Sequence, residues 1–152
     1  MAGTVSMQVD AETVIAAVKP TIVLVPSIHD GHPDHRAAAR FATEALRGAN
    51  VSLRRWMVHG GEEWPLPKGW HVGLPLEPPP RGKHLAWERL DLTPAQVSTK
   101  AAAIKCYRSQ MELIGRFLGA FARKNELESP TDPPAGPDPP SDFGEPGGSL
   151  SG

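Results

Sequence analysis

Cysteine is almost absent: Cys106 is the only one among 152 residues. That excludes an intrachain disulfide framework and any cysteine-built zinc module, and it predicts a reducing compartment, the cytoplasm. Long apolar runs are missing as well. Lys19 and Pro20 interrupt the best candidate, residues 14–25, which falls short of the ~18 apolar residues of a membrane span. No basic residue precedes Lys19, so the charged start of a secretory signal is not present. Without a signal, the glycosylation-type triplet Asn50-Val51-Ser52 carries no weight. Charge of one sign is lacking too: 16 Lys and Arg stand against 17 Asp and Glu, which argues against a nucleic-acid partner. No glycine-rich phosphate loop is found, and neither Ser27 nor Ser109 has the Gly-x-Ser-x-Gly setting of a serine hydrolase.

What is plentiful is proline and glycine, 17 and 15 residues, and they are unevenly spread. Residues 130–152 hold seven prolines, five glycines and four acids with no Lys or Arg. Such a segment buries too little apolar surface to offset its ordering entropy, which predicts a disordered tail. The expected folding unit is a single α/β domain over residues 1–129.

The expected elements follow from pattern. Val14, Ile15 and Val18 share one side of a short helix over 11–18, ended by Lys19-Pro20. Thr21-Ile22-Val23-Leu24-Val25-Pro26 is a β-branched run between prolines, the pattern of a strand buried on both faces in a parallel sheet. A polar loop leads to a helix from Pro33 to about Arg47, with proline at its first position, Asp34 in its first turn and Gly48 at its end. Ala37, Phe41 and Ala45, with Ala38, Ala42 and Leu46, form its apolar stripe. Residues 51–59 read as a second strand with Val51, Leu53 and Met57 inward, and 60–82 as irregular. Residues 84–92 read as a third strand. Thr93-Pro94-Ala95-Gln96 is a capping box opening a long helix to about Lys124, bent near Ser109, where the apolar spacing has a gap at Tyr107-Arg108. Cys106 is expected in its core, and Lys100 and Lys105 in water.

The chemistry concentrates in Ser27-Ile28-His29-Asp30-Gly31-His32-Pro33-Asp34-His35. Three of six histidines and two of seven aspartates lie here, in the loop after a strand and the first turn of the next helix. Ligands of open α/β sheets bind at that end of the strands. His32 and His35, three apart, share one side of the helix start. Neutral imidazoles ligate zinc, and nearby aspartates ligate it or orient an imidazole through its second nitrogen. The same residues also make good turn chemistry, which needs no function.

Read as P-x-x-x-D-G-H-P-D-H-R-A-A-A, residues 26–39 resemble the second motif block of the PIG-L/LmbE-type zinc-dependent N-acetyl-sugar deacetylases. Trp87 to Thr93, then Lys100, Ala103, Ile104, Tyr107, Ser109 and Gln110, are similar to that family's closing segment, and Phe121 to Glu126 to its C-terminal end. The likeness spans about residues 11–127. It implies a partial Rossmann-like, mostly parallel sheet flanked by helices. It further implies His35 as a zinc ligand, His32 as the group that stabilises the oxyanion or protonates the leaving amine, and Asp30 and Asp34 in support. The reaction implied is hydrolysis of an acetamide on a glucosamine-like sugar. The family's first block, a His-Pro-Asp-Asp-like motif that supplies two zinc ligands and the general base, has no counterpart here. The resemblance therefore implies an N-terminally incomplete domain, with those groups arriving from outside the 152 residues. A sheet lacking its first strands has an open edge, which predicts marginal stability or a homo-oligomer.

Three further residues are candidates for substrate contact: His59 at the end of the second strand, and Trp64 and Trp70, whose indoles either stack on a sugar or plug the irregular stretch. Two other readings compete with the enzyme. One is a non-catalytic binding or interaction module that keeps the scaffold. The other is a stand-alone metal binder using His29, His32 and His35.

Overall fold

The computed structural model describes residues 2–131, so the expected tail lies almost wholly outside the described residues. The protein is a mixed α/β chain whose described part forms two compact units, divided after His59.

In the first unit, α1 (Ala2–Val18) leads to β1 (Ile22–Pro26), α2 (Pro33–Ala45) and β2 (Ser52–Trp56). Lys19, in the left-handed region at φ 51°, ends α1 by donating its N–H to the Ile15 carbonyl, and Pro20 prevents continuation. α1 begins well before the expected residue 11, and Val14 and Val18 are exposed rather than packed. β1 and β2 pair in parallel, with Val23 opposite Leu53 and Pro26 opposite Trp56. α2 is the crossover between them.

β1 departs from the expectation of burial on both faces. Val25 is buried, but Ile22 and Leu24 are 57% and 61% exposed. The strand alternates because the two-stranded sheet is covered on one side, where α2 packs on β1. The stripe of α2 is shifted as well. Ala39, Arg36 and Leu46 are buried, and Ala38 faces out.

In the second unit, residues 60–87 are irregular apart from a 3-10 turn at Pro80–Gly82. They precede β3 (Glu88–Asp91), α3 (Pro94–Lys105), α4 (Arg108–Gly119) and β4 (Asn125–Glu128). β3 and β4 are antiparallel, with Asp91 opposite Asn125. β3 is shorter than the expected 84–92, the helical part ends at Gly119 rather than about Lys124, and β4 follows where no element was expected. The long helix is two helices. At Tyr107, φ −80° and ψ 63°, the backbone leaves helical values, and the turn before it tightens to i−3 bonds from Cys106 and Tyr107. Cys106, at the end of α3, is exposed rather than core, as no residue of that helix is buried. Lys100 is only partly in water, its ammonium lying 2.5 Å from Glu126 Oε1 on β4.

Buried polar side chains organise the irregular stretch. Asn125 accepts the Leu76 N–H at 2.7 Å and donates Nδ2 to the Leu76 carbonyl at 3.1 Å, standing in for a strand partner. Arg123 donates to the carbonyls of Pro67 and His71. Trp70 lies against Gly119, where a Cβ would stand 3.0 Å from the indole, so a side chain there would have to push the ring aside by a few tenths of an ångström.

Candidate metal centre

The parallel register of β1 and β2 sends both following loops out at the same end of the sheet. Ser27 donates its N–H to Trp56 O, and Gly31 donates to His59 O, which stitches the two loops together. Asp30 sits between them with no exposed surface. Its Oδ1 accepts the His32 N–H at 2.8 Å, and its Oδ2 accepts those of Val58 at 2.7 Å and His59 at 3.1 Å. Burial alone would raise the Asp30 carboxyl. The three backbone donors and the neighbouring His35 outweigh it, holding the group below the ordinary aspartate range.

His35, in the first turn of α2, brings its buried Nδ1 to 3.1 Å from Asp30 Oδ1. The contact does not meet hydrogen-bond geometry, so this buried Nδ1 has no hydrogen-bond partner among the described residues. A proton on Nδ1 facing the carboxylate leaves Nε2 with its lone pair available. The His59 ring centroid lies 5.3 Å from that of His35, and Trp56 packs edge-on against His35 at 5.5 Å. Asp30, His35 and His59 each offer one ligand atom within 4.8 Å of the others.

His32 completes the cluster, its ring 4.9 Å from His35 and 5.3 Å from His59. It is also the N-cap of α2, with Nδ1 accepting the Asp34 N–H at 3.1 Å. That bond places the proton of the neutral ring on Nε2. Arg36, buried at the end of the first turn of α2, donates Nη1 to the carbonyls of Asp30 and Gly31 and clamps the loop.

The structure thus brings His32, His35, Asp30 and His59 together. Asp34 stands outside with its side chain 88% exposed, its nearest oxygen 3.9 Å from His32 Nδ1. His29 does not join the metal-type group, so the combination of His29, His32 and His35 does not form. Trp64 is buried, donating Nε1 to Glu77 O with Phe121 edge-on to its ring, which uses the indole in packing. Trp70 stays partly exposed, with the Lys105 ammonium 5.0 Å from its ring centre. Sequence reasoning placed His59 on a pocket wall rather than in the metal-type group. The available signal was its position just past a strand parallel to β1. Arg36 was overlooked because an arginine early in a helix ordinarily reads as surface.

Comparison with known proteins adds no assignment: no family model, no curated protein and no solved structure matches the chain.

Proposed function

We propose that this cluster is a zinc site of the N-acetyl-sugar deacetylase type, within a partial Rossmann-like scaffold. The observation that carries the reading is the convergence of His35 and His59 on a buried, ionised Asp30 at the carboxyl end of two parallel strands. The donor set fits zinc, since two imidazoles lie within reach of one ion and the carboxylate is placed to orient one of them.

In this reading His35 and His59 hold the metal, which when bound supplies Lewis acidity toward an amide carbonyl and a water. Asp30 keeps its oxygens on the loop N–H groups and on His35, so it positions a ligand rather than acting as the base. His32, proton on Nε2, is the donor for the developing oxyanion or the departing amine. Asp34 sits in the first turn of α2, and its backbone N–H fixes the His32 ring. Hydrolysis in addition needs a free carboxylate as base, which the Asp30–His35–His59 group does not provide. That same engagement of Asp30 favours a second reading, a metal-binding module without turnover.

The test is zinc per chain after removal of loosely held metal, followed by acetate release from an N-acetylglucosaminide. The expected result is near one zinc per chain, lost in both His35→Ala and His59→Ala. Acetate release that disappears in His32→Ala would establish the enzyme reading. Retained zinc with no release would establish the module. No retained zinc would remove both.

A further inference from the structure

The second unit carries a groove of about 490 Å³, of a size with small-molecule sites and well separated in sequence from the histidine cluster. Its walls are apolar: Val72 on one side, Leu92 at the approach to α3, and Val97 and Ala101 on the α3 face. Ser98 and Lys124, both exposed, are the polar residues of its lining. The Lys124 ammonium has no partner among the described residues. Of the acids closest to it in the strands, Glu126 is paired with Lys100 at 2.5 Å and Asp91 with Arg89 at 2.7 Å.

The groove is also built in place. The Lys124 N–H donates to Leu74 O at 3.1 Å, and its carbonyl accepts the Leu92 N–H at 2.8 Å. One residue thereby ties the segment beside Val72 to the chain entering α3. Behind it Asn125, fully buried, holds both backbone groups of Leu76. The capping box of Thr93 and Gln96 fixes the start of α3, and no acidic residue lies in that helix's first turn to repel an anion.

We propose that this groove binds a small amphipathic carboxylate, a soluble acid whose apolar chain lies along Leu92, Val97 and Ala101 while its carboxylate meets Lys124 and the Ser98 hydroxyl. The apolar lining alone would accept any greasy ligand. The single uncompensated cation at its edge selects one negative charge on the end of an apolar body, and a site with one ammonium has no means of matching a dianion.

The experiment is titration of the full, isotope-labelled chain with sodium octanoate, kept below self-association, with octanol as the uncharged control. Saturable amide shifts are expected at Leu92, Val97, Ala101 and Lys124. Octanoate should bind about fivefold more tightly than octanol, the upper range for an exposed ion pair. Lys124→Gln should bring octanoate down to the octanol level, and Ala101→Trp should abolish binding of both while the remaining amide spectrum superimposes on wild type. No saturable shift with octanoate overturns the proposal. So does equal binding of octanoate and octanol, or an octanoate affinity that Lys124→Gln leaves unchanged.

Discussion

Replacing Asp30 by Asn should destabilise the first unit by about 3 kcal/mol at neutral pH, although the side chain keeps its shape. Three backbone N–H groups, of His32, Val58 and His59, point at the carboxylate oxygens. An amide presents its own N–H₂ where one oxygen was, so at least one of these buried donors loses its acceptor and meets another donor. The Asp30 carboxyl is held below its ordinary value, so its stabilising contribution is complete above the unfolded value of about pH 4. It is lost as pH falls through the lower folded value. The gap between wild type and Asp30→Asn is therefore widest at neutral pH and closes in strong acid. Amide exchange at Val58 and His59 reads the effect locally; equal protection of both amides in the two proteins at neutral pH would refute it. In the zinc-site reading the same variant should weaken metal binding by about 10- to 100-fold, because His35 loses the group that orients it.

A second one-atom exchange should behave in the opposite way with pH. Asn125→Asp keeps the oxygen that accepts the Leu76 N–H, but places a second oxygen against the carbonyls of Leu76 and Glu126, where Nδ2 now donates. The position is fully buried, so a carboxylate there is a desolvated charge whose second oxygen faces two carbonyls. The expected loss is about 3–5 kcal/mol at neutral pH. Protonation restores a donor in the form of a carboxyl O–H. The folded variant therefore holds its proton more tightly than the unfolded chain does, and part of the lost stability returns as pH falls through that raised value. Denaturant unfolding of the variant at several pH values measures this; a penalty independent of pH would show that the oxygen found another donor. If the groove forms as described, the variant also loosens the backbone behind Lys124, and octanoate binding should weaken with it.

Local signals made much of the first unit legible. The β-branched run between Thr21 and Pro26 forms β1, and Pro33 opens α2. The helix stops before Gly48, which takes a φ of +79°. Burial was harder to read. A continuous apolar strand reads as covered on both faces, yet exposure of Ile22 and Leu24 depends on what packs over them, which no local pattern contains. In the second unit the gap at Tyr107-Arg108 is legible and predicts a bend, where the chain in fact breaks into α3 and α4. Whether a chain bends or breaks there depends on the tertiary contacts of the two halves. β4 was missed because Asn125-Glu126-Leu127-Glu128 has little strand propensity and pairs with β3 through contacts distant in sequence.

The candidate site was partly legible for the same reason. His32, Asp30 and His35 stand close in the chain, and their spacing at a helix start is informative. His59 reaches them only through strand register, with Pro26 opposite Trp56. Arg36 reaches the loop only because the first turn of α2 folds back under it.

The cap of α2 has a consequence for how the chain can change over time. Position 32 serves two masters: Nδ1 holds the helix start, and the rest of the ring faces His35 and His59. Asparagine, serine or aspartate would hold the helix start at least as well. A lineage with no further use for the imidazole could drift to any of them without loosening α2, whereas one that depends on the ring could not. The residue found at this position in other copies of the chain is thus a readable marker, separating a scaffold that has merely been kept from one whose chemistry is still in use.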